Sequence, residues 1–349
     1  MNKSKKVAAT LVPVLVLALA ACAPSTPTPG GTAPSSGASG SIGVVALSNS
    51  FIGNSWRKTM VTDLEESKKQ ALEAGVIDDL KIVNANNDTS EQISQIQALI
   101  LEQPKVLLVD AASPTALNGV IQKACDAGII VVSYDATVTA ECAYRLSPVW
   151  VDAGYAMGSW LFKHMNGTGN VVLVRGVAGT DVDAGQYEGW QKALKEYPNI
   201  KVVGEVYGDW DDATAQSAIG GIMGTLPQVD GVVTNGGGYG VAQAFAAAGR
   251  PTPTIIIGAR GTELDWWRKQ RDANGYVTAG WSNGPSIGQA AFWVGVNLAK
   301  GVKFPKDINW PLLEITQENL DSYADATPLD SVAQELWTNE MVLERMAQK

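Results

Sequence analysis

From Ser41 onward, short β-branched runs alternate with longer amphipathic stretches, and strands that follow one another through helices pair in parallel, since no tight turn can join them. The first series places strands at 42–47, 80–85, 106–109, 129–133 and 143–146, with helices at 54–74, 90–102 and 113–127 between them. Asp88-Thr89-Ser90 opens one helix, and Gly75 and Gly128 close two others. A second series follows, with strands at 170–174, 201–207, 231–234 and 254–258 and helices at 152–165, 184–197, 211–225, 239–248 and 263–273. The reading is α/β: two doubly wound, Rossmann-like parallel-sheet lobes. Ligands of open α/β sheets sit beyond the carboxyl ends of the strands, so two facing lobes line one cleft.

Composition narrows the function classes. The chain has 349 residues, a formal charge of -9 and one histidine. Excess acid repels the phosphates that a nucleic-acid binder must neutralise. A single histidine leaves little room for histidine-based catalysis or a histidine metal site.

The N-terminus reads as an export signal: Lys3, Lys5 and Lys6, an apolar run from Val7 to Ala20, then Leu19-Ala20-Ala21-Cys22. The run, about 14 residues, is short for a membrane span. Leu-Ala-Ala-Cys resembles the bacterial lipobox, which implies a signal peptide over 1–21 and acylation of Cys22. Residues 22–41, almost all Ala, Pro, Ser, Thr and Gly, read as a flexible tether. The expected location is the outer face of the cytoplasmic membrane, held by a lipid anchor. Export to an oxidising compartment and the even pair left after Cys22 point to a Cys125–Cys142 disulfide, with two buried free thiols as the alternative.

Five segments at strand ends carry a wider resemblance: Ser48 to Arg57, Val132 to Asp135, Gly176 to Thr180, Thr234 to Gly237 and Ile257 to Arg260. In that order they resemble the type I periplasmic sugar-binding proteins, nearest to the ribose and galactofuranose binders of ABC importers. The resemblance implies a monomeric receptor that closes on a monosaccharide or polyol and serves an ABC permease, with no cofactor. A membrane-tethered sugar sensor is the alternative. The resemblance also implies three hinge crossovers, near 147–151, 282–284 and 303–310. The lobes would then be 42–147 plus 284–305, and 148–283 plus 306–349.

Sugars call for planar hydrogen-bonding side chains and an aromatic plate. The cleft candidates are Asn54, Trp56, Arg57, Asp135, Gln186, Asn235 and Arg260, with Trp150 and Trp281 as further aromatic plates and Ser282 where the family has a glutamine. Gln186 and Arg260 depart from the ribose pattern, which implies a different sugar or a sugar alcohol.

Other motifs have plainer readings. Gly284-Pro285-Ser286-Ile287-Gly288 matches a nucleophile elbow, but the lone His164 precedes it, so a helix start capped by Asn283 is expected. Asp209-Trp210-Asp211-Asp212 lacks the later acids of a calcium loop and reads as a helix N-terminus. Asn235-Gly236-Gly237-Gly238 lacks both the spacing and the lysine of a phosphate loop and reads as glycines that admit a ligand or a closing lobe. With no second acid predicted opposite Asp135 outside the Asp181-Val182-Asp183 turn, the chain is expected not to be an enzyme.

Overall fold

The computed structural model describes residues 40–347. The lipobox with Cys22, the signal segment and all but the end of the tether lie outside them. In chain order the first lobe is built from β1 (Val44–Asn49), α1 (Ser55–Glu73), β2 (Asp79–Asn84), α2 (Thr89–Glu102), β3 (Val106–Asp110), α3 (Asn118–Asp126), β4 (Ile130–Tyr134) and β5 (Tyr144–Ser147). The second continues through α4 (Trp150–His164), β6 (Thr168–Arg175), α5 (Asp181–Glu196), β7 (Asn199–Tyr207), α6 (Asp212–Ile222), β8 (Gly231–Val233), α7 (Gly238–Ala247), β9 (Thr254–Ile255), α8 (Gly261–Asn274) and β10 (Gly280–Ser282). The chain closes with α9 (Ile287–Ala299), β11 (Asp307–Asn309), β12 (Leu313–Ile315), α10 (Leu320–Ala326) and α11 (Asn339–Ala347).

The first sheet runs β11-β5-β4-β3-β1-β2, all parallel. The second runs β7-β6-β8-β9 in parallel, and a parallel bridge from Ile257 to Gly280 leads to β10 and its antiparallel partner β12. Alternation along each central strand feeds both faces of its sheet. In β1, Val45 and Leu47 pack under α1 and α9, whereas Ala46 joins the core beneath α2 and α3. In β6, Val171 and Leu173 meet α4 and α5, whereas Val172 and Val174 meet α6 and α7. Burial on both faces makes these strands continuous hydrophobic runs, which is why they stand out in the sequence.

The last segment departs from the sequence reading, which assigned 306–349 to the second lobe. Strand β11 pairs with β5, and Ile308, Trp310 and Val342 join the core of the first sheet. Leu312, β12, α10 and the stretch from Pro328 to Ala333 pack in the second lobe, Val332 bridging Arg260. The chain therefore passes between lobes four times, not three: after β5, after β10, between β11 and β12, and again between Ala333 and Trp337. The reason lies in α9, so apolar that 11 of its residues are buried. Its remaining side needs a cover, and α11 supplies it through Val342 and an Asn297–Asn339 hydrogen bond of 2.6 Å. Cys125, late in α3, and Cys142, just before β5, form a disulfide that brackets β4 in the chain of the first lobe.

Candidate ligand site between the lobes

The carboxyl ends of the strands from both sheets face one another across a pocket of about 420 Å³, its open mouth included. Helix α1 starts directly after β1 with Asn54 as its cap, the Asn54 Oδ1 accepting from the Arg57 N–H at 2.9 Å. One turn in, Arg57 is buried, with Nη1 donating to Asn49 Oδ1 at 3.0 Å and Nη2 to Asp135 Oδ2 at 3.4 Å. It also pairs with Asp110 at the end of β3, itself fully buried. Trp56 covers its guanidinium, 5.1 Å from ring centroid to Cζ, and donates Nε1 to the Asn283 carbonyl at 2.5 Å. A cation flanked by two carboxylates and an indole is fixed in place and neutralised.

Asp135 anchors the base of the pocket. It follows β4 in a left-handed conformation, φ 56°, that turns its side chain into the cleft. Asn283 donates to its Oδ1 at 2.7 Å, and Trp150 Nε1 donates to its backbone carbonyl at 3.2 Å. Burial pushes its carboxyl above the usual range, and Arg57 and Asn283 oppose that shift. The same burial draws Arg57 below its ordinary value.

On the opposite wall, Arg260 follows Ala259, another left-handed residue at φ 59°. Its guanidinium lies against Gly236 and Gly258, where a Cβ would come within 2.0 and 2.5 Å of Nη1. Gly236, in the glycine run after β8, thus makes way for the Arg260 side chain. Glu263, fully buried, accepts backbone N–H groups from Gly238, Gly258 and Arg260 and lies 3.9 Å from the Arg260 guanidinium.

Eight of the ten cleft candidates expected from sequence line the pocket: Asn54, Trp56, Arg57, Asp135, Trp150, Asn235, Arg260 and Ser282. Gln186 does not. It is buried on the face of α5 packed against Gly154 of α4, and its amide has no hydrogen-bond partner among the described residues. One turn into its helix, its backbone packs against α4 and the residue is buried away from the pocket lining. Trp281 likewise packs in the second lobe's core. Ser282 borders the pocket, but its hydroxyl donates to the Ala333 carbonyl at 3.2 Å.

Val182, Trp210, Gly258 and Asn283 complete the lining. Trp210 follows β7 on two successive left-handed residues, Asp209 and Trp210 at φ 51° and 54°. Its indole occupies the space over Gly176, where a Cβ would lie 2.0 Å from Cε2. The signal was present, since Trp210 follows a strand as the other candidates do. Asp211 is a helix cap as expected, accepting from the Thr214 N–H at 2.9 Å, and the tryptophan beside it faces the pocket. The sequence pattern predicts Asn283 as the cap of α9; that cap is Ser286, and Asn283 turns inward to Asp135 instead. The serine of the elbow-like motif therefore starts a helix. His164 ends α4 and stacks on Trp160, 5.0 Å between ring centroids.

A family model for the periplasmic binding protein domain matches residues 45–303. The chain belongs to the periplasmic binding protein domain family. A xylitol-binding protein of Mycolicibacterium smegmatis is 28% identical over 242 residues, 68% of each chain. A galactofuranose-binding protein of Escherichia coli is 26% identical over 160 residues, 44% of this chain and 49% of that protein. The solved structure of an ABC transporter solute-binding protein from Thermobispora bispora is 41% identical with a TM-score of 0.83, covering 87% of this chain and 94% of that one. These relatives bind solutes and are not enzymes, in line with the expectation from sequence. Within this family of sugar and polyol binders the pocket lies where the periplasmic binding protein fold brings its two sheets together.

Proposed function

We propose that this chain is an extracytoplasmic, lipid-anchored binding protein that captures a neutral sugar or sugar alcohol between its lobes and delivers it to an ABC importer. Charge balance in the pocket carries the reading. Arg57 is compensated by Asp110 and Asp135, and Arg260 by Glu263, so neither guanidinium offers net positive charge to a sugar acid or phosphate. What remains is a set of planar donors and acceptors among three indoles, those of Trp56, Trp150 and Trp210. That combination suits adjacent hydroxyls and the apolar C–H faces of a polyol.

Asp135, Arg57, Asn54, Asn235 and Arg260 are the proposed hydroxyl contacts, with the three indoles as apolar walls. The xylitol relative supports a pentitol as the first ligand to try. Cys22 is the proposed acylation site, and two acyl chains would hold the protein stably to the bilayer. A thermal-shift screen of the exported chain against pentoses, hexoses, polyols and their phosphates tests the reading. Binding only to the native state adds about 2.7 kcal/mol at one hundred times the dissociation constant. A neutral sugar or polyol should raise the transition and its phosphate should not; a response confined to anionic compounds would refute the proposal.

A further inference from the structure

The lobes also meet beside the pocket. Asp181 is the first residue of α5 in the second lobe, and Thr137 lies just beyond β4 in the first. The Asp181 Oδ2 accepts two hydrogen bonds from Thr137, from its N–H at 3.0 Å and its hydroxyl at 2.6 Å. The other oxygen, Oδ1, is buried with no hydrogen-bond partner among the described residues. One half of this carboxylate is satisfied, while the other is out of water with only the neighbouring Val182 N–H to help it, an arrangement that disfavours its charge. Two charged groups face it: Asp135, beyond β4, repels it, and Arg57 on α1 attracts it but is itself held by Asp110 and Asp135. Because the two bonds run between the lobes, separating the lobes breaks them and returns the carboxylate to water.

We propose that Asp181 is a positioning residue that latches the closed cleft and makes closure, and with it the affinity of the binding site assigned above, stronger in acid. The proposal rests on the sugar or polyol reading only for its affinity arm. In the closed form burial, reinforced by Asp135 and opposed by the Thr137 bonds and the Val182 N–H, pushes the Asp181 carboxyl up to about 6. Exposed in an open form it would titrate near about 3.9. The closed form holds the proton more tightly, so closure gains as the pH falls through 6 and stops gaining below the open-form value. Between pH 7 and pH 5 these two values give about a tenfold shift toward the closed form.

The test uses the full chain with xylitol as probe, by calorimetric titration at pH 5 and pH 7, together with small-angle scattering of the unliganded chain at both pH values. Wild type should bind xylitol about tenfold more tightly at pH 5, and its radius of gyration should be smaller there. Asp181→Asn keeps an acceptor for Thr137 and has no charge to lose; it should bind at pH 7 at least as tightly as wild type and lose most of the pH slope in both measurements. An unchanged slope in Asp181→Asn, or a flat wild-type profile, would overturn the latch. If xylitol gives no heat at either pH, the pentitol assignment fails and the scattering alone decides the latch: compaction at pH 5 in wild type but not in Asp181→Asn supports it, and equal radii overturn it.

Discussion

Single side chains at the strand ends line the pocket, and several reach it only through backbone that disfavours them. Asp135, Ala259, Asp209 and Trp210 are left-handed, at about 1 to 3 kcal/mol each. Such conformations persist where the surroundings over-determine them, and here they aim Asp135, Arg260 and Trp210 at one volume. Asp135→Ala is expected to weaken sugar or polyol binding by about 1 to 3 kcal/mol, because ligand hydroxyls lose an acceptor and Arg57 loses one of its carboxylates. Titration calorimetry reads this directly, and wild-type affinity would remove Asp135 from the site. Trp210→Ala should also weaken binding while leaving the unfolding transition close to wild type, since the indole borders two clefts and the core only in part. Gly176→Ala should reproduce that loss without touching the tryptophan, because the added methyl occupies the space the indole needs.

At the scale of elements, the helices that hold the site are set by close packing. Helices α4 and α5 approach through Gly154, Gly158, Gly185 and Gly189, and a Cβ at Gly189 would lie 2.2 Å from the Val151 carbonyl. Backbone cannot give way as a side chain can, so Gly189→Ala should cost about 1 to 3 kcal/mol in a urea titration. It should also perturb binding, since Trp150 at the start of α4 lies against Gly185 and donates to Asp135. A variant with the wild-type urea midpoint would show that the helices can part at no cost. The same packing explains the misplacement of Gln186: the strand-end rule named the right turn, but the face that α5 shows to α4 is a property of the pair.

For the whole molecule, the final passage across the hinge ties the C-terminal segment to both lobes. Gln334 accepts from the Ser286 N–H at 2.7 Å and donates to Asp63 of α1 at 2.8 Å, while Ala333 N–H donates to the Ala259 carbonyl at 2.9 Å. Removing the chain beyond Thr338, and with it α11, would uncover Val342's place beside α9 and leave the Asn297 side chain without its Asn339 partner. The expected outcome is a lower thermal midpoint with the ligand stoichiometry retained. An unchanged midpoint would make α11 dispensable to the first lobe.

The sequence by itself determined the two doubly wound lobes, because strands buried on both faces and amphipathic helices leave local signatures of fixed period. It also determined which strand ends meet the cleft, and hence Asn54, Trp56, Arg57, Asp135, Trp150, Asn235 and Arg260, since in open α/β sheets topology alone sends those ends to one side. Only the tertiary structure decided that Asn283 and Trp210 join them, that Gln186 does not, that the chain crosses the hinge a fourth time and that Asp181 meets Thr137. Each of these depends on a contact between segments far apart in the chain, where side-chain direction and charge pairing are set by the partner and leave no periodic trace in either segment.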